Sequence, residues 1–121
     1  VDTKYFYPDV LVDCAYDSAN PHVAGEPVLI IEVLSDSTRV MDEATKYQAY
    51  RQIPSLQEYV LVEQKFAKVE VFQRNNNWAL KRYGAGDDVT FSSVGLTLPI
   101  ATIYERVETP DLLAWREQHN R

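Results

Sequence analysis

A seven-residue run, VLIIEVL at residues 28–34, constrains the fold of this 121-residue chain more than any other segment. Six of its residues are aliphatic, which predicts a strand that is buried on both faces and lies at the centre of a sheet. The exception is Glu32. An ionised carboxylate inside such a strand costs several kcal/mol unless a cation or hydrogen bonds compensate it. The sequence should therefore supply a partner for Glu32.

The segments around this run predict an α/β fold, a mixed sheet with helices packed on it and antiparallel hairpins at one side. A short strand precedes the run in YFYPDVLVDCAY, and a helix follows it in RVMDEATKYQAYRQI. EYVLVEQ and KVEVFQRN alternate as paired strands, WALKRYGAGDDVTF carries one or two more, and VGLTLPIATIYERV holds a strand and a helical turn. PDLLAWREQHNR predicts a terminal helix. We expect residues 1–121 to form one domain.

The net charge, the apolar runs and the cysteine count limit the classes of function that this chain can have. The net charge of −6 argues against a protein that simply coats nucleic acid, so binding to DNA would need a local basic patch, a bound cation or a partner subunit. No apolar run is long enough to cross a bilayer, so we expect no membrane association. Cys14 is the only cysteine, which excludes an internal disulfide and fits a reducing cytoplasm. Because the chain starts at Val1 and enters a strand almost at once, we expect residues to be missing upstream.

Asp9 and Lys46 are the candidate partners of Glu32. The strand continues about 13 Å from Glu32 to Asp36 at about 3.3 Å per residue. The helix then returns about 15 Å between Asp36 and Lys46 at about 1.5 Å per residue. Lys46 is thereby predicted to lie level with Glu32, one layer above the sheet. Asp9 joins them if its strand is the neighbour of the Glu32 strand.

Two carboxylates and an ammonium in one small volume are suited to a hard divalent cation. Neighbouring carboxylates repel unless a cation lies between them, and oxygen ligands without His or Cys favour Mg²⁺ or Mn²⁺. A lysine beside such a cation can orient a water or neutralise charge during phosphoryl transfer. The alternatives remain open: Asp9 is also an ordinary turn residue, and Glu32 with Lys46 can be a structural salt bridge.

The segments YPDVLV, PVLIIEVLSDSTRVMDEATKYQAY, IPSLQEYVLVEQ and KVEVFQR resemble the Uma-two family, a branch of the PD-(D/E)XK nuclease superfamily with a restriction-endonuclease-like fold. The resemblance implies that Asp9 and Glu32 are metal ligands, with the backbone carbonyl of Val33 as a third. The superfamily lysine, expected two residues after Glu32, is replaced by Leu34, and Lys46 matches the lysine that this family carries on the helix. The resemblance also implies that elements before the first strand are absent here.

Asp42 matches the helix aspartate of the family pattern, without a clear role. Gln64, at a strand end, is a candidate contact of the metal site. Tyr50 is expected to pack in the core one helical turn beyond Lys46.

Basic and aromatic residues alternate on the later hairpins and are candidates for the lining of a DNA cleft, although strand alternation alone produces the same pattern. They are Lys65, Phe66, Lys68, Phe72, Arg74, Trp78, Lys81 and Arg82.

The sequence therefore predicts a Mg²⁺- or Mn²⁺-dependent endonuclease that hydrolyses DNA phosphodiester bonds, with Asp9, Glu32 and Lys46 as its catalytic residues. A two-fold homodimer is the default expectation, because cutting both strands of a duplex needs two sites. One alternative is a nuclease-fold module with weak or no activity that binds nucleic acid or assembles with other proteins. The other is a structural domain in which Glu32 and Lys46 form a salt bridge.

Overall fold

The computed structural model describes residues 9–13, 25–34, 41–105 and 109–119, and the backbone alone for residues 41–44. Cys14 and the side chain of Asp42 lie outside the described part. The strands are β1 (Val10–Asp13), β2 (Pro27–Leu34), β3 (Glu58–Glu63), β4 (Lys68–Gln73), β5 (Leu80–Gly84), β6 (Asp88–Phe91) and β7 (Leu96–Pro99). The helices are α1 (Met41–Arg51), α2 (Ile100–Ile103) and α3 (Pro110–His119). None of the helices in the described ranges is long and apolar enough to cross a membrane.

Five strands form a mixed sheet in the order β1-β2-β3-β4-β5. Strands β2 and β3 are parallel, and the other neighbouring pairs are antiparallel. Helix α1 lies between β2 and β3 in the chain, as a parallel pair requires a crossover connection. Strands β6 and β7 form a separate antiparallel pair. The predicted α/β class, with a mixed sheet, helices and antiparallel hairpins, is confirmed and is consistent with a restriction-endonuclease-like fold.

Strand β3, and not β2, is the central strand of the sheet. The prediction from the aliphatic run was wrong on this point: within the described part of the chain, β2 has β1 alone beyond it, whereas β3 has two strands on each side. Burial on both faces also fails at the end of β2, where Val33 is 45% exposed.

The two faces of the five-stranded sheet carry different apolar clusters, because successive strand residues point to opposite faces. On the α1 side, Ile30, Leu34 and Tyr59 are buried with Tyr50 of the helix. On the other side, strand residues such as Val60 and Val71 pack with residues of β6, β7, α2 and α3. Glu32 lies between Ile30 and Leu34 in this alternation and is therefore directed to the α1 side.

Candidate functional site

Asp9 and Glu32 lie side by side at one end of the β1–β2 pair. The register pairs Val10 with Ile31 and Leu11 with Ile30, and one further step in the same register would set Asp9 opposite Glu32. Residues directly opposite each other in an antiparallel pair have Cβ atoms about 4.5–5.5 Å apart and share one face. Asp9 is fixed there because its Oδ2 accepts a hydrogen bond of 2.7 Å from the N–H of Val33. The two carboxylates thus share a small volume at the carboxyl end of β2.

Lys46 reaches Glu32 from helix α1. Its Nζ lies 3.1 Å from Oε2 of Glu32, which is the position that the lengths of the strand and the helix predict. The glutamate is 5% exposed, whereas the lysine side chain is 25% exposed. The ammonium therefore links a buried carboxylate to solvent.

Tyr50 is the residue that sequence reasoning missed. Its hydroxyl donates a hydrogen bond of 3.0 Å to Oε1 of Glu32, so the two oxygens of this carboxylate are held by different donors. Lys46 and Tyr50 are four residues apart on α1, and side chains at this spacing lie on one face of a helix. That spacing was the signal in the sequence, but the aromatic ring was assigned to the core alone. The ring does pack there, edge-on to Tyr59 with centroids 5.5 Å apart.

Tyr50 is held as a neutral donor. Burial raises the pKa of Tyr50 far above its ordinary value, and the charge of Glu32, the hydrogen bond to Glu32 and the charge of Asp9 raise it further. A tyrosinate facing two carboxylates would be strongly repelled. The hydroxyl proton therefore remains in place to orient Oε1 of Glu32.

Two other carboxylates are buried in the described part and do not join this site. Glu58 accepts hydrogen bonds from Gln73, Ser92 and Ser93, and so attaches the turn between β6 and β7 to the five-stranded sheet. Glu63 accepts hydrogen bonds from the N–H groups of Gln64 and Lys65. Among the described residues, no group of three or more His, Cys, Asp or Glu side chains could hold a metal. Any ion here would use the Asp9–Glu32 pair with backbone and water oxygens.

The candidate DNA-lining residues are not gathered into one cleft. The guanidinium of Arg74 donates to the carbonyls of Leu56 and Ile53 after α1, at 2.6 and 2.7 Å, and stacks over Trp78. Phe72 packs in the α1-side cluster.

A second group of these residues is engaged on the surface of the sheet. Glu70 lies between Arg82, at 3.0 Å, and Lys68, at 3.9 Å. Lys81 is exposed on β5, and Lys65 and Phe66 are exposed on the turn between β3 and β4.

Gln64 is one residue beyond β3 and is exposed. Its N–H lies 3.3 Å from the carbonyl of Leu34, so the residue is at the same end of the sheet as Glu32. Contact between its side chain and a metal stays a prediction.

Comparison with known proteins gives one family and two relatives. Residues 1–113 match the model of the Uma2 family, described as "Putative restriction endonuclease". The uncharacterized protein slr1290 of Synechocystis sp. is 33% identical over 104 residues, which cover 84% of this chain and 55% of the relative. The uncharacterized protein sll1609 of the same organism is 37% identical over 95 residues, covering 74% and 54%. The chain thus spans about half the length of these relatives.

Proposed function

Since the chain belongs to the Uma2 family of restriction-endonuclease-like proteins, we propose that it is a divalent-metal-dependent endonuclease that hydrolyses DNA phosphodiester bonds. The observation that carries the proposal is the convergence of Asp9, Glu32 and Lys46 at the carboxyl end of β2. Ligands of α/β sheets bind at the carboxyl ends of parallel strands, and β2 and β3 form the parallel pair of this sheet.

The donor set suits Mg²⁺ or Mn²⁺. Asp9 and Glu32 supply carboxylate oxygens on one face, and the carbonyl of Val33 supplies a third. The N–H and C=O of one strand residue point to the same side of the strand, so the Val33 carbonyl is directed to the side on which its N–H meets Asp9. Two carboxylates are enough for Mg²⁺, which usually keeps several waters. When bound, the cation would polarise a phosphate oxygen and lower the pKa of a water.

The protein's own residues then have distinct tasks. Tyr50 holds Oε1 of Glu32, and this fixes the plane of the carboxylate. Lys46 holds Oε2 in the free protein and is partly exposed, so its ammonium can turn toward a phosphate at the surface. There it would orient the attacking water or neutralise the negative charge that develops on the phosphate. Glu32 is retained in an apolar strand because the ammonium of Lys46, and the divalent cation when it is bound, compensate its charge.

A second candidate is a nuclease-fold module that binds nucleic acid or assembles with other proteins without cutting. The net charge of −6 favours it. A third is a structural domain in which the Lys46–Glu32 contact is an ion pair and nothing more. The two hydrogen bonds to Glu32 are compatible with this reading.

The partners and the compartment follow from the first candidate. DNA is the proposed substrate, and a two-fold homodimer would present two sites to the two strands of a duplex. We place the reaction in the cytoplasm, where the single Cys14 would remain reduced.

Calorimetric titration with Mn²⁺ tests the proposal on the wild type, Glu32→Ala and Lys46→Ala. We expect micromolar-to-millimolar binding in the wild type, its loss in Glu32→Ala and its retention in Lys46→Ala. A cleavage assay on plasmid DNA with Mg²⁺ or Mn²⁺ follows, in which Lys46→Ala should lose turnover. Binding without cleavage by the wild type would favour the binding module, and no binding in any of the three proteins would favour the structural domain.

A further inference from the structure

We propose that the turn between β3 and β4 holds a single strand of DNA beside the candidate active site by stacking one base on Phe66. Its three exposed residues, Gln64, Lys65 and Phe66, are called the hairpin tip below. This inference rests on the proposed function, because it names the form of the substrate and the surface that receives it.

The hairpin tip lies at the same end of the sheet as Glu32. Glu32 pairs with Leu61 of β3, and Leu34 pairs with Glu63 immediately before the tip. The tip therefore starts three residues beyond the level of Glu32, which is about 10 Å along the strand, and one strand spacing of about 4.8 Å to the side. Consecutive bases of a DNA strand are about 3.4 Å apart, so the offset corresponds to about three nucleotides. A strand stacked on the tip can reach the carboxylates.

The tip is held rigidly by buried groups beneath it. The hydroxyl of Tyr104 donates to the carbonyl of Glu63 at 2.5 Å and accepts from the N–H of Lys68 at 3.2 Å. It also lies 3.2 Å from the carbonyl of Phe66. Tyr104 directly follows α2. A part of the chain that is distant in sequence therefore holds both sides of the turn. A surface fixed in this way loses little conformational entropy when it binds.

Two carboxylates complete the support of the turn. Both oxygens of Asp111 accept from the N–H of Ala67, at 3.1 and 2.9 Å. The side chain of Glu63 accepts from the N–H groups of Gln64 and Lys65, at 3.0 and 3.3 Å. Asp111 and Glu63 thus hold the backbone of the turn, Asp111 at Ala67 and Glu63 at Gln64 and Lys65.

The surface of the tip is basic and aromatic in an acidic protein. Residues 64–69 include two lysines and no Asp or Glu, although the chain carries a net charge of −6. Phe66 is 40% exposed, and Nζ of Lys68 lies 5.4 Å from the centre of its ring. Glu70, the acidic residue that lies 3.9 Å from Lys68, is also paired with Arg82. Lys65 and Lys68 bring two ammonium groups to the turn, and binding to a phosphate backbone uses such groups.

These features fit a single strand better than a duplex. An aromatic ring with lysines beside it is the usual means of binding single-stranded DNA, because bases stack on the ring while phosphates meet the ammonium groups. In a duplex the faces of the bases are already covered by neighbouring bases. The one exposed ring of the tip therefore favours an unpaired base.

The test measures binding of a fluorescein-labelled oligothymidine of about 12 nucleotides by fluorescence anisotropy. EDTA in the buffer prevents cleavage. The wild type should bind this strand more tightly than the corresponding duplex. Phe66→Ala should weaken binding about tenfold, as the loss of one stacked base predicts, without changing the salt dependence. Lys65→Ala should reduce the slope of log K against log salt by about 0.7, as the loss of one phosphate contact to a single strand predicts.

A matched control is available elsewhere on the surface. Leu96 is an apolar side chain of β7 that is 45% exposed. Leu96→Ala should leave both the affinity and the salt slope unchanged. Equal effects in Phe66→Ala and Leu96→Ala, tighter binding of the duplex, or no binding of DNA by the wild type would each overturn the inference.

Mn²⁺ titration separates this inference from the proposed function. The hairpin-tip variants should bind Mn²⁺ as the wild type does, because neither changed residue belongs to the proposed ligands. If the wild type binds Mn²⁺ and the tip variants bind DNA normally, the tip inference fails while the metal site stands. If Phe66→Ala weakens DNA binding and no protein binds Mn²⁺, the metal proposal fails and the tip inference stands.

Discussion

Removal of the ammonium at position 46 gives the most informative test of why Glu32 is tolerated in its strand. Lys46→Met keeps most of the length of the side chain but removes one of the two side-chain donors to Glu32. The carboxylate then keeps the hydrogen bond from Tyr50 and still has Asp9 as a neighbouring carboxylate. Removing one partner of a fully buried ion pair costs about 3–5 kcal/mol. The Lys46 side chain is 25% exposed, so water screens part of the interaction. We expect a loss of about 2 kcal/mol in the free energy of unfolding, below the cost of breaking a fully buried pair.

A double-mutant cycle isolates the interaction. Glu32→Gln removes the negative charge of the ion pair, and the double variant Glu32→Gln with Lys46→Met removes both charges. Unfolding in urea, monitored by far-UV circular dichroism in EDTA, gives the free energy of each variant. We expect the double variant to be more stable than the sum of the single effects predicts by about 1–2 kcal/mol, the range for groups in direct contact.

A matched surface pair provides the control. Lys68 has nearly the same exposure as Lys46, 26% against 25%, but lies 3.9 Å from Glu70, which keeps Arg82 at 3.0 Å. Lys68→Met should therefore cost about 0.5 kcal/mol or less, as exposed pairs do. A coupling between Glu32 and Lys46 as small as that of this surface pair would refute the reasoning.

Repeating the cycle with Mn²⁺ distinguishes a metal site from an ion pair alone. An ion at 100 times its dissociation constant stabilises the folded state by about 2.7 kcal/mol. We expect this gain in the wild type and in Lys46→Met, because the proposed ligands are intact in both, and not in Glu32→Gln. Equal effects of Mn²⁺ on all three proteins would contradict the assignment of Glu32 as a ligand.

Three further predictions follow from single contacts. Asp9→Ala should abolish Mn²⁺ binding in calorimetry while costing about 1 kcal/mol or less in urea unfolding, because Asp9 is exposed and water can replace its hydrogen bond to Val33. Glu58→Gln should cost about 2–4 kcal/mol of stability, because the amide would leave N–H donors of the β6–β7 turn unsatisfied; equal stability would contradict this. It should leave Mn²⁺ affinity unchanged, because Glu58 is on the opposite face of the sheet from Glu32. Burial raises the pKa of Tyr50 and Tyr104 above their ordinary value of 10.0, so the unfolded state loses protons first and stability should fall above pH 10. For Tyr50, whose pKa is raised far above this value, the fall should approach about 1.4 kcal/mol per pH unit. Urea unfolding between about pH 9 and pH 11 should give a shallower fall for Tyr50→Phe than for the wild type, and identical slopes would argue against a neutral, buried Tyr50.

Local pattern in the sequence determined the elements of this protein. The alternation in KVEVFQ and the Pro110 before LLAW produced the strand β4 and the helix α3 where they were predicted. The number of residues between Glu32 and Lys46 also predicted that their side chains would be in contact, because the rise per residue of a strand and of a helix is nearly constant. Length and periodicity are local properties, and they can be read without knowing the partner of each strand.

The tertiary structure decided the features that depend on which strands and turns become neighbours. Among the described strands it made β3 the central one, and it left Val33 exposed. It directed the hydroxyl of Tyr50 to Glu32, and it separated Arg74, which holds the end of α1, from the exposed Phe66. The sequence presented all of these as similar aromatic or basic residues. Their roles differ because a side chain's partners are set by contacts between residues far apart in the chain, which no local pattern encodes.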